Sequence, residues 1–409
     1  MIVRRACQPQ HRMYAAAFLL DFSVAVGILA MPFFIVERLN GGAALSGTVG
    51  AVQMALYAVC CLASAGLVSR ARNSLRWAVA GVGIFGLLFI LVPWTSSPGP
   101  CLVAASVPFL GLALAWPAMQ AWLGQAPDPD TRARHLAGFN TATAFGFTIS
   151  PLLTGPLYDA NFRLPFLLLA VLCAVVIGFL FSLTPGTNRV RHASQEEPAA
   201  EERGVVPVTR GLLYASWAAT FTANGLVAAV RSVYPVHVEA LAADRSLVLW
   251  PGFRPALLDA VGPATTYSWL AFLLSLCTVL CFAAMGRTRA WQGRFSVLAL
   301  GQIAAAVSCI VLGHAQNLVI MAACFAVIGH AYGLCFFASL YYSLTDMRER
   351  HRRAAINEGL LGAGGFTGSI GFGCAAACLG VTAAFQGAPA VAAAAIVVQI
   401  LLLRSARQS

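Results

Sequence analysis

The sequence predicts an all-α polytopic membrane protein, with twelve transmembrane helices forming two six-helix bundles related by pseudo-two-fold symmetry. Three observations predict it. The 409 residues are 59% hydrophobic and 10% charged, with a mean hydropathy of +0.78, whereas a soluble domain carries roughly 25% charged residues. Twelve stretches approach the ~20 apolar residues that a bilayer crossing needs. The second half of the chain also repeats landmarks of the first.

The spans are placed, in order, at 13–36, 45–69, 77–94, 101–124, 135–158, 164–183, 211–238, 264–285, 295–313, 318–345, 354–381 and 386–403. The first run is longer than a signal-peptide core and is followed by further spans, so it is expected to stay attached. The expected division is 1–183 for an N-terminal six-helix bundle, 184–208 for a linker and 209–409 for a C-terminal bundle. That linker runs from Thr184 to Val208 and holds Glu196, Glu197, Glu201, Glu202 and three Arg. The loop from Ala240 to Pro263, on the opposite side, carries Trp250 and Phe253, which read as interfacial anchors or as a lid.

Charge sets the orientation. All 26 basic residues are Arg. Twenty-one fall on the side of the termini, four on the other side, and Arg231 lies inside a span. By the positive-inside rule both termini are expected in the cytoplasm. The Arg-only, Ala-rich composition suggests a bacterial inner membrane. The net charge of +11 sits in short loops, without a basic stripe or interleaved aromatics, which argues against a nucleic-acid partner.

The twelve Cys mostly lie inside apolar runs and read as small hydrophobes in packed helices. Cys374 and Cys378 share a helical face, but no neighbouring His or carboxylate completes a metal site. No cofactor or metal is expected. The chain has no H-E-x-x-H, no G-x-S-x-G and no Lys for a phosphate loop, so neither an enzyme nor an ATP-driven pump is expected.

The repeat is visible in register. Tyr14-Ala-Ala-Ala-Phe18-Leu-Leu-Asp21 aligns with Trp217-Ala-Ala-Thr-Phe221-Thr-Ala-Asn224 at an offset of 203, which also brings Pro32 onto Pro235. Further on the offset is 217 or 218. Arg70 and Arg72 meet Arg287 and Arg289, Gly111 meets Gly329, and Gly146, Ser150 and Gly155 meet Gly364, Gly368 and Gly373. One longer loop after the seventh span accounts for the jump. Parallel repeats around a site near the midplane are a transporter architecture, worked by rocking one half against the other.

Gly146-Phe-Thr-Ile-Ser150-Pro151-Leu-Leu-Thr154-Gly155 resembles the G-x-x-x-G-P-x-x-G-G pattern of the major facilitator superfamily. Ser150 and Thr154 replace two of its glycines. Small residues four apart let helices approach closely, and Pro151 bends the helix. Gly66-Leu-Val-Ser-Arg70-Ala-Arg72-Asn73 is a degenerate version of the family's loop after the second helix, with Arg70 where the pattern has a gating acid. The fourth span carries no charge, where many proton-coupled members carry an Arg. Over nearly the whole chain the resemblance implies a secondary transporter, functional as a monomer, moving a small organic solute through the lipid bilayer by alternating access. The reading is proton-coupled export of a drug-like compound or metabolite. The alternatives are uptake of a small organic anion or sugar, and a receptor-like member that does not transport.

An ionisable group at mid-bilayer costs at least ~2.5–3.5 kcal/mol, so each is a functional candidate. Asp21 lies about 12 Å into the first span at 1.5 Å per residue and suits a carboxylate that exchanges protons. Asn224 takes its place in the seventh span. Arg231 lies on the same face as Asn224, about two turns nearer the outside, and its fixed charge favours an anionic group on the solute. No direct bond between Asp21 and Arg231 is expected, because their depths differ by ~10 Å. The family's cavity is lined by the first, fourth, seventh and tenth helices, which makes Trp116, Gln120, Phe337 and Tyr341 candidates for solute contact. Gln53 and Asn140 are expected to bond between helices. Asn357 and Glu358 are expected to cap the eleventh helix, and His237 and His330 to be structural.

Overall fold

The structure, a computed structural model, describes residues 9–70, 73–123, 129–184, 210–250, 253, 257–344 and 350–408. Arg72 and the linker beyond Thr184 therefore lie outside the described residues. In chain order the helices are α1 (Pro9–Leu39), α2 (Ala43–Arg70), α3 (Ser74–Phe89), α4 (Pro98–Ser106), α5 (Pro108–Leu123), α6 (Pro129–Ile149), α7 (Pro151–Ala160) and α8 (Leu164–Leu183). The second half holds α9 (Arg210–Ser232), α10 (Tyr234–Ala243), α11 (Leu257–Ala260), α12 (Pro263–Arg287), α13 (Phe295–His314), α14 (Leu318–Leu344), α15 (Arg350–Leu379), α16 (Val381–Gln386) and α17 (Ala388–Gln408).

Eleven of these helical stretches are long and apolar enough to cross a membrane, and all twelve expected spans are helical. The twelfth crossing is α6–α7, whose Gly, Thr and Asn residues lower its hydropathy. It breaks at Ser150, because Pro151 has no N–H to continue the ladder. The seventh span breaks similarly at Val233, ahead of Pro235. Pro32, its counterpart in the repeat, sits inside an unbroken α1.

Both halves are built alike. α1 packs on α6 and α8, and α9 packs on α15 and α17. α5 is covered by α2 and α3, as α14 is by α12 and α13. The crossings depend on missing side chains. A Cβ on Gly146 would lie 2.2 Å from the carbonyl oxygen of Phe18, and one on Gly364 would lie 2.3 Å from that of Phe221. Phe221 is Phe18 moved by the repeat offset of 203, so the same glycine–backbone contact occurs twice. Lipid gives helices no hydrophobic reason to associate, so close packing and buried polar bonds must hold the bundle. Gln302 and Gln399 supply one such bond, joining α13 to α17 through reciprocal amides at 3.0 and 2.8 Å.

The halves meet through α2 on α15 and α7 on α12. A Cβ on Gly155 would sit 2.5 Å from the Cα of Thr265, and one on Gly47 would sit 2.9 Å from the Cα of Gly373. An offset of 218 turns Gly155 into Gly373 and position 47 into position 265, so the two seams exchange under the pseudo-two-fold. These seams, the Phe33–Tyr267 ring contact at 5.8 Å and the Ser46 hydroxyl bond to the Ser232 carbonyl all lie towards the end opposite the termini.

Two expectations need correction. Cys374 and Cys378 are exposed on α15 rather than packed between helices. Asn357 and Glu358 do not cap that helix, because it begins two turns earlier at Arg350. Asn357 is instead fully buried and accepts a hydrogen bond from the Ser339 hydroxyl of α14.

Candidate solute-binding site

The chain's cross-over from α1 and α2 to α9 and α15 leaves a cavity of about 70 Å³ between the halves. Its polar wall is Ser46, Gln53, Asn224, Arg231, Ser232 and Ser369, and Met31 and Met54 supply much of the apolar remainder. Among its described lining residues Arg231 alone carries a charge. Such a volume holds a few waters, while a pocket for a drug-sized ligand takes roughly 300–1,000 Å³. The conformation is therefore nearly closed around its centre.

The polar wall is held in place by bonds between helices. Gln53 donates its amide N–H to the Ala105 carbonyl at 3.0 Å, linking α2 to α4. Asn224 donates to the Leu361 carbonyl at 2.6 Å, linking α9 to α15. The Arg231 guanidinium lies 4.7 Å from the centre of the Phe147 ring on α6. A cation over an aromatic face is stabilised electrostatically, and here the contact joins the two halves. Among the described residues, Arg231 is thus positioned by this ring rather than by a bonded carboxylate. Asp21 lies within electrostatic reach.

The site residues read from the sequence separate into groups. Asn224 and Arg231 are in the cavity wall. Asp21 sits beside it, near Arg231, Tyr57 and Tyr332. Trp116 packs edge-on against Phe139 of α6 at 5.9 Å, and Gln120 is exposed. Phe337 and Tyr341 pack against Trp291 in the loop after α12, at 5.8 and 5.1 Å. These four lie nearer the end of the termini than the cavity does. His237 packs against Tyr234 at 5.5 Å, whereas His330 and Asn140 are exposed.

Glu358 belongs with Asp21. Tyr57 of α2 and Tyr332 of α14 each lie within electrostatic reach of both carboxylates. Glu358, Gly362, Gly365 and Ser369 follow one face of α15. Gly362 and Gly365 pack on Ala58 and Met54 of α2, and Gly365 and Ser369 line the cavity. That spacing of three and four residues was the available signal, and it places Glu358 on the cavity-facing stripe.

Paired bundles, seams exchanged by a two-fold and a charged central cavity define a transporter of the alternating-access type. The sequence model of the Major Facilitator Superfamily matches residues 13–250. The chain belongs to that superfamily and is an integral membrane transporter. No curated protein matches it closely in sequence. Among solved structures it is similar to the peptide transporter POT in complex with sulfate, with a TM-score of 0.74, 14% identity, and 98% of this chain and 94% of that one covered. It also resembles the nucleoside transporter NupG, with a TM-score of 0.68, 10% identity, and 98% of each chain covered. A third is a bacterial homolog of the human lysosomal transporter Spinster, inward-facing and unoccupied, with a TM-score of 0.68, 14% identity, and 97% and 95% covered. At these identities the likeness is one of fold.

Proposed function

We propose that this protein is a proton-coupled secondary transporter of a small organic solute bearing an anionic group, and that Arg231 binds that group. The observation that carries the reading is the position of Arg231, the charge in the wall of a cavity between the halves. An arginine keeps its charge throughout the cycle, so it attracts a carboxylate or similar group in every conformation. Asn224 and Gln53 supply neutral hydrogen-bonding partners beside it. Asp21, within reach of Arg231 but not in the wall, carries the proton. The Gly146–Gly155 stripe, of a pattern frequent in exporters that exchange protons, supports the outward direction.

With 21 Arg on the side of the termini, both termini lie in the cytoplasm of a bacterial cell and the conformation described faces inward. Solute enters past Trp116, Gln120, Phe337 and Tyr341 and reaches the cavity when the halves part further. The monomer is the working unit. The test is solute flux in proteoliposomes, screened first by thermal shift of the purified protein against small anions, sugars and lipophilic drugs. Stabilisation and flux with an anion, both lost in Arg231→Ala, are expected. Flux of neutral sugars alone, or no flux with any solute, overturns the reading.

A further inference from the structure

We propose that Asp159 is the latch of the closed end, a side chain of one half that caps a helix of the other and so sets which way the transporter faces. α12 opens with Gly262 at its N-cap and Pro263 next. Glycine has no side chain to satisfy the free N–H groups of a helix's first turn, which Asp, Asn or Ser at the N-cap normally do. The missing acceptor comes from across the seam. Asp159, in the last turn of α7, accepts a hydrogen bond from the Thr265 N–H at 2.8 Å. Thr265 is the third residue of α12, the position that an N-cap side chain serves.

The geometry leaves no alternative occupant. A Cβ on Gly262 would lie 2.2 Å from the Asp159 carboxyl carbon. Gly262 has φ −70° and ψ 164°, a conformation open to any residue, so its need for glycine is the space that Asp159 takes. One turn before Asp159 on the same face is Gly155, which brings the α7 backbone against Thr265 and Ala264. The acid and the close approach are one device.

Asp159 gains little within its own half. A carboxylate in the last turn of a helix opposes that helix's dipole, while at the start of another helix it is favoured. Its favourable interaction therefore exists when α7 and α12 are together and vanishes when they part. The charged groups facing it sharpen this. Glu37 at the end of α1, bonded to the Tyr158 hydroxyl at 3.2 Å, and Glu239 of α10 both lie within electrostatic reach. Glu37 shares a half with Asp159, whereas Glu239 belongs to the other half and is brought against both by closure, so the cap holds the end shut against that repulsion. The other seam lacks a counterpart, because an offset of 218 turns Asp159 into Ala377. The latch is a property of one seam, and it is independent of which solute the cavity takes.

Hydrogen–deuterium exchange on the purified full-length protein tests the assignment. Asp159→Ala is expected to speed exchange roughly 2- to 30-fold, the range for losing an N-cap, at the start of α12. It is also expected to speed exchange at 43–50 of α2 and 369–379 of α15, the seam on the other side of the pore. Gly262→Ala, which keeps the acid but fills its place, is expected to give the same pattern. Faster exchange confined to the first turn of α12 would mean a local cap without a latch. That result, or unchanged exchange in both variants, overturns the proposal.

Discussion

At the scale of the residue, the informative feature is how few charges lie between the halves. Arg231 and Asp21 were legible in the sequence because a charge inside an apolar run is expensive and rarely accidental. In the structure the two interact electrostatically, and Arg231 faces Phe147. Arg231→Ala is expected to weaken binding of an anionic solute roughly 10- to 150-fold, the range for losing a hydrogen bond to a charged group, with the thermal unfolding midpoint little changed. Titration calorimetry on the purified variant checks it. Asp21→Asn is expected to remove the pH dependence of flux in proteoliposomes, leaving a rate that is flat across pH. Glu358 was not legible. Hydropathy starts the eleventh span at 354, so an acid at 358 reads as a cap, but hydropathy does not see the polar turn that α15 adds from Arg350. Glu358→Gln is expected to alter the pH profile of flux as well, because it shares Tyr57 and Tyr332 with Asp21.

At the scale of the element, glycines decide which helices touch. Gly146 and Gly364 were flagged by spacing alone, and the structure sets each against a carbonyl of the first helix of its half. Gly364→Leu is expected to cost about 1–3 kcal/mol, as overpacking does, and Gly146→Leu about the same. Gly371 is the control. Nothing lies within 4 Å of where its Cβ would be, so Gly371→Ala is expected to be neutral or to add about 0.5–1 kcal/mol. Thermal unfolding of the purified variants separates these outcomes. Twelve helices could be counted from hydropathy because the bilayer imposes a length. What hydropathy could not supply was rotation about each helix axis. Phe337 and Tyr341 show the gap: they were chosen by span and spacing, but their rings meet Trp291 of the α12–α13 loop. The position of that loop depends on tertiary packing, which local pattern does not encode.

At the scale of the whole molecule, the two seams share one task. Gly155 against Thr265 and Gly373 against Gly47 lie on opposite sides of the pore and exchange under the two-fold. Gly155→Leu and Gly373→Leu are therefore expected to give one phenotype, with faster hydrogen exchange at both seams and loss of flux. A difference between them would show that the seams open separately. The repeat register in the sequence already implied this symmetry, but not that it would be broken by an acid on one side. The C-terminal half also carries the longer loop, and that loop is tied down. Val248 donates its N–H to the Gln316 carbonyl and accepts from Leu318, both at 2.9 Å, so the segment before Trp250 is stitched to the α13–α14 connection of its own half. Trp250 and Phe253 stand exposed beyond that stitch. An antibody fragment raised against this knob would ride rigidly on one bundle alone, giving single-particle imaging of a 43.0 kDa chain both the added mass and a fixed pointer from which the tilt of the other bundle can be measured.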